Sequence, residues 1–167
     1  MNFFLKILLI LISFFFSCSF TKKNKELKPN ILLIVADDLG YTDLGCFGSE
    51  ISTPNINNLS KNGITFTNFH TSPLCAPTRA MLLSGMDNHI AGIGIQGYNS
   101  DLFGYEGKLS NRIKTIPSIL NTSDYYTFIS GKWHLGGDLE SDPIKKGFDE
   151  SYVLLPGAGN HYSNRKV

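Results

Sequence analysis

The stretch Cys75-Ala-Pro-Thr-Arg79 sets a cysteine just ahead of a proline–threonine–arginine run. A thiol there reads as a nucleophile, half of a disulfide, a buried small hydrophobe, or the precursor of another group. If a helix starts near Ala76, Cys75 and Arg79 share one face at its N-terminal end. Free N–H groups and the positive end of the helix dipole attract anions at such a place. Asp37 and Asp38 are a second candidate group, adjacent carboxylates that close an apolar run. Desolvating two like charges is costly, and a divalent cation removes that cost; oxygen-only ligands favour Ca²⁺ or Mg²⁺ over Zn²⁺. A solvated loop is the other reading of this pair. Lys132 and His134 are separated by one residue, so an extended backbone points both to the same side. A fixed positive charge beside a titratable imidazole suits an anion site, against the alternative of a surface lysine and a packed histidine.

The elements that position these groups alternate between strand and helix. "NILLIVADDLG" is a continuous apolar run rich in branched residues, typical of a central parallel strand covered on both faces. "TPNINNLSKNG" predicts a helix with Thr53 as N-cap, Pro54 in the first turn and Gly63 at the end. "ITFTNFHT" reads as a strand, "APTRAMLLSG" as a short helix closed by Gly85, and "TIPSILNTS" as a further helix. "YYTFIS" is a strand leading into "GKWHLGG", and "SYVLL" is one more. The pattern predicts an α/β fold with a mostly parallel central sheet flanked by helices. Ligands collect beyond the C-terminal ends of strands in such sheets, where "ADDLG" and "GKWHLGG" both fall.

The 167 residues, with a formal net charge of +1, suit one domain or part of one. Near-neutral charge gives no electrostatic reason to expect a nucleic acid partner. Residues 1–18 read as a signal peptide, with Lys6 ahead of the apolar run 7–16. Cys18 follows Ser17 as in a bacterial lipoprotein processing site, so its lipidation would attach the chain to a membrane. The expectation is an exported bacterial protein, periplasmic or anchored through Cys18. Residues 19–28 form a polar linker, and residues 29–167 the domain. Export raises the prospect of a Cys46–Cys75 disulfide.

Three blocks carry a family resemblance. "CAPTRAMLLSG" is similar to the sulfatase signature in full, and "DYYTFISGKWHLG" to the second sulfatase signature. "NILLIVADDLGYTDLGCFG" resembles the family's first strand and its metal carboxylates, while "NHIAGIG" and "LLPGAGNHY" resemble bacterial arylsulfatases. The resemblance spans Pro29 to the end of the chain and implies an alkaline-phosphatase-like sulfatase domain, incomplete here.

The resemblance implies that a maturation enzyme reading Cys75, Pro77 and Arg79 oxidises Cys75 to formylglycine, which makes the disulfide unlikely. One hydroxyl of the hydrated aldehyde attacks sulfur and releases the alcohol; loss of the other's proton then expels sulfate and restores the aldehyde. Asp37, Asp38 and the formylglycine at Cys75 would hold one Ca²⁺. Arg79 would steady the gem-diol, Lys132 would bind a sulfate oxygen, and His134 would hydrogen-bond the gem-diol. Sulfated small molecules or glycans are the implied substrates. Asp124 stands where the second signature usually has glycine, and aspartate tolerates turn conformations well. The family's later Asp-Asn metal pair, a further His and a further Lys are expected beyond position 167, so the chain as given is expected to be inactive or barely active. His89 is the candidate for lining a substrate pocket; His70 and His161 read as structural, and Trp133 as core. A phosphonate monoester or phosphodiester hydrolase on the same site is the close alternative, and a non-catalytic lipoprotein remnant the distant one.

Overall fold

The structure, a computed structural model, describes residues 27–160. The expected signal peptide, Cys18, most of the linker and His161 lie outside the described residues. Among the described residues no helix is long and apolar enough to cross a membrane.

The chain divides into two units, Met1–Ala36 and Asp37–Val167. In the first, residues 27–36 carry no regular secondary structure, and Ile31, Leu32, Leu33, Ile34 and Val35 are exposed. The strand expected from "NILLIV" is therefore not formed. An apolar run signals burial, whereas a strand also needs a neighbour to take its N–H and C=O groups.

The second unit opens with two single-turn 3₁₀ helices, Tyr41–Asp43 and Gly45–Phe47. Helix α1, Pro54–Asn62, starts at Pro54 as the sequence predicts. Thr53 precedes it but does not cap it: its hydroxyl accepts from Gly45 N at 2.9 Å and donates to Asn57 Oδ1 at 2.9 Å. The hydroxyl thus ties the preceding turn to the helix. The strand expected at "ITFTNFHT" is also absent, and Ile64, Phe66 and Phe69 are exposed.

Helix α2, Cys75–Ser84, ends on Gly85 in the left-handed region, whose N–H returns to Met81 O at 2.8 Å. Helix α3, Ile116–Asn121, is held by a capping box in which Thr115 Oγ1 accepts from Ser118 N and Ser118 Oγ accepts from Thr115 N. Strand β1, Phe128–Lys132, pairs in parallel with β2, Glu150–Leu154, so that Lys132 faces Leu154. The backbone pairing runs on past β1, with Trp133 N donating to Leu154 O and His134 N to Leu155 O. Among the described residues, three α-helices and a two-stranded parallel sheet make an α/β region, much smaller than the sheet expected.

The core gathers Ala76 and Ala80 from α2, Ala91, Ile93 and Leu109 from the loops, and Trp133 and Leu135 after β1. Trp133 is 1% exposed, as expected of a core residue, and its indole N–H donates to Ser141 O at 2.9 Å. Asp124 has φ 57°, so the turn before β1 does use the left-handed conformation that aspartate tolerates.

Candidate active site

Cys75 is the first residue of α2, and the helix is fixed by burial of Ala76, Pro77 and Ala80 behind it. Pro77 has no N–H, so the open donors of this first turn are few. Lys132 is the last residue of β1, and His134 follows at φ 58°. The two are not same-side positions of one regular strand, because β1 ends at Lys132 and His134 lies beyond it in the left-handed region. Both nevertheless reach the same atom: Lys132 Nζ donates to Cys75 Sγ at 3.2 Å, and His134 Nδ1 lies 3.4 Å from it. Cys75 Sγ in turn donates to Gln96 Oε1 at 3.2 Å.

Asp37 and Arg79 brace this cluster. Lys132 Nζ donates to Asp37 Oδ2 at 2.6 Å, and Arg79 Nη2 lies 3.5 Å from the same oxygen. Arg79 Nη1 also donates to Lys132 O at 2.8 Å, tying helix α2 to the end of β1. Arg79 therefore positions Lys132 and Asp37 and does not touch Cys75 in any recorded contact. Its Nε is buried without a hydrogen-bond partner among the described residues.

The charges adjust to one another. The hydrogen bond from Lys132 holds the Asp37 carboxyl below its ordinary range, against a smaller opposing effect of burial. Burial pulls the Lys132 ammonium down, but its hydrogen bonds to Asp37 and Cys75 outweigh this and leave it raised. His134 is lowered, first by burial and then by the positive charges of Lys132 and Arg79. At neutral pH the site therefore presents a charged ammonium and a neutral imidazole.

Gly157 makes room for His134. A Cβ built there would lie 2.4 Å from both Cε1 and Nε2 of the ring, closer than real contacts come. Gly157 and Gln96 are neighbours of this cluster that sequence reasoning missed. Each acts across a long loop, and neither a glycine nor a glutamine in a glycine-rich stretch announces its partner.

His89 is not brought into contact with Cys75. Its Nδ1 lies 3.2 Å from Asp87 Oδ1 and its Nε2 lies 3.3 Å from Tyr105 Oη, so both ring nitrogens serve the loop. His70 is engaged with Asn68. Cys46 and Cys75 are both free thiols.

Asp38 sits beside Asp37 at φ 56° and is exposed. Two carboxylates are the right chemistry for Ca²⁺, which takes about six to eight oxygen ligands. Among the described residues no group of three or more His, Cys, Asp or Glu gathers to hold an ion, and Asp37 is already paired with two cations. These residues alone do not complete a Ca²⁺ site. Lys132 Nζ donates to the sulfur, a weak acceptor, while the tautomer of His134 decides whether its Nδ1 donates or accepts there.

Fold and site together define an α/β protein that gathers a thiol, an imidazole and a braced ammonium at the head of a helix. Comparison with known proteins agrees with this class and narrows it. Residues 29–167 match the family described as Sulfatase. An uncharacterized sulfatase of Schizosaccharomyces pombe is 52% identical over 153 residues, covering 87% of this chain and 28% of its own. The arylsulfatase of Klebsiella aerogenes is 37% identical over 140 residues, 82% of this chain and 30% of that protein. The crystal structure of Ps i-CgsB in complex with k-i-k-neocarrahexaose superposes with a TM-score of 0.70 at 40% identity, covering 80% of this chain and 30% of that one. The chain belongs to the sulfatase family. It spans less than a third of the length of these relatives.

Proposed function

We propose that the whole protein hydrolyses sulfate monoesters at Cys75, after a maturation enzyme that reads Cys75, Pro77 and Arg79 has converted the thiol to formylglycine. One observation carries this reading: Lys132 Nζ and His134 Nδ1 meet on Cys75 at the head of α2, in a chain of the sulfatase family. Hydrated formylglycine supplies a hydroxyl nucleophile for sulfur. Lys132 provides a fixed positive charge for a sulfate oxygen, and its bond to Asp37 keeps the ammonium from swinging away. His134, neutral at pH 7, holds or accepts a proton at Nδ1. Arg79 keeps the end of β1 and Asp37 in register with α2.

Asp37 and Asp38 are proposed as part of a Ca²⁺ site whose remaining oxygens belong to the rest of the whole protein. The substrate is proposed to be a sulfate ester on a small aryl group or a glycan. The oligosaccharide bound to Ps i-CgsB supports the glycan branch. Export, with lipidation of Cys18, is proposed for the location.

The test is mass and turnover together. A peptide containing position 75 should be roughly 18 Da lighter than its cysteine form. The matured protein should release sulfate from an aryl sulfate, and Cys75→Ala should not. An unmodified cysteine in a fully active enzyme overturns the formylglycine assignment. Turnover of an aryl phosphonate exceeding that of an aryl sulfate with the same leaving group overturns the substrate class.

A further inference from the structure

A cavity of about 410 Å³ is lined by Lys108, Ser110, Asn111, Arg112 and Lys146, with the carboxylates Glu106 and Glu140, and Cys75 is not among its lining residues. That size is within the range of small-ligand sites, roughly 300–1,000 Å³. Two of its three cations are already neutralised. Lys108 pairs with Asp138, while Arg112 pairs with Glu106 at 2.7 Å and stacks over Phe103.

Lys146 is different. It is only 7% exposed, and its ammonium donates to one neutral acceptor, Asn111 Oδ1, at 2.6 Å. Among the described residues no carboxylate comes within ion-pair distance of it. An ammonium carries three donors, so two remain open. Its backbone is pinned, because the buried Thr115 hydroxyl at the start of α3 donates to Lys146 O. Burial lowers its pKa, as does Lys108, while the charges of Asp138 and Glu140 act the other way. Asn111 accepts from Lys146 through its oxygen and has no acceptor for its NH₂ among the described residues, and Ser110 lines the same space.

A buried, unmatched cation beside a free amide donor and a hydroxyl is complementary to a small anion with several oxygens. The geometry points to an oxyanion-binding site in this cavity, distinct from the Cys75 site, with Lys146 as its charged contact and Asn111 as its amide donor. The ligand class is a small oxyanion, and inorganic sulfate and a sulfate ester are the probes. This site is argued from its own residues and stands whether or not Cys75 catalyses hydrolysis.

The experiment is a titration of the full chain with inorganic sulfate at constant ionic strength, replacing chloride. The readouts are the side-chain NMR signals of Lys146 and Asn111, assigned by their loss in Lys146→Arg and Asn111→Asp. A parallel arm uses glucose 6-sulfate. The expected result is a saturable shift of both signals in the wild type. In Lys146→Met the Asn111 signal should need at least tenfold more sulfate to move. Saturation by inorganic sulfate alone identifies a free-anion site, and tighter saturation by the sugar sulfate identifies a site for sulfated chains; either supports the proposal. Absence of a saturable Lys146 shift in both arms overturns it, and so does an Asn111 response unchanged in a folded Lys146→Met. Should Lys146→Met fail to fold, the wild-type Lys146 signal alone decides.

Discussion

Cys75 Sγ and Lys132 Nζ lie 3.2 Å apart although 57 positions separate them in the chain. Helix α2 delivers the first group and strand β1 the second. The Arg79 bond to Lys132 O, 2.8 Å long, joins those two elements directly. Charge on Lys132 is in turn matched by Asp37 at 2.6 Å, so the ammonium is held from two sides.

In the whole protein, Lys132→Met should lower turnover of an aryl sulfate by about 10²- to 10³-fold, the usual effect of losing one charged donor to a developing anion. Lys132→Arg should not restore it. A planar guanidinium cannot sit as a point charge between Asp37 and Cys75. Steady-state kinetics of protein whose position 75 has been checked by mass would test this. Near-wild-type turnover by Lys132→Met would remove the role assigned to the residue.

Gly157→Ala should impair the site through His134. The added methyl would meet the imidazole at 2.4 Å, so the ring must move from Cys75. A fall in kcat of at least tenfold is expected on the proton-transfer scale of 10²–10⁴. KM should change little. An unchanged kcat with the same His134 ring position in a structure of the variant would contradict this account.

Trp133 is the single tryptophan and its indole N–H is buried on Ser141 O. Trp133→Phe removes that donor and leaves the carbonyl without its partner, at a cost of about 1–3 kcal/mol. The smaller ring adds a cavity term. Urea denaturation followed by circular dichroism should show a lower midpoint for the variant.

Asp138 is held down to about 2 by its hydrogen bond to Lys108 and then by Ser141. Its ordinary value is 3.8, so its folded form is depressed relative to the unfolded one. The stability it contributes is complete above 3.8 and is lost as the pH falls through about 2. The difference in denaturation midpoint between wild type and Asp138→Asn should therefore hold steady from pH 7 to 5 and shrink between pH 4 and 2. A difference that grows on acidification would reverse the assignment.

Local signals told helices well and strands poorly. Pro54, Gly85 and the Thr115–Pro117 start each marked a helix boundary within a residue or two, because capping and proline geometry act within one turn. "NILLIV" and "ITFTNFHT" read as strands, yet they stay unpaired in the described structure. Strand formation depends on a partner that the segment does not contain. Thr53 shows the same limit at the scale of one hydroxyl, which could cap its own helix but binds Gly45 N across the turn.

The residue types that bear on chemistry were determined by the sequence alone: Cys75 at a helix start, Arg79 one turn on, Lys132 and His134 at a strand end, and the acidic pair Asp37–Asp38. Only the tertiary structure decided what meets what. It set Arg79 on the backbone of Lys132 and turned His89 into its own loop. It brought Gln96 to the thiol and cleared space for His134 at Gly157. Short-range rules fix a residue's own conformation, whereas a contact across 57 positions depends on how the core of Ala76, Trp133 and Leu135 packs the two elements together.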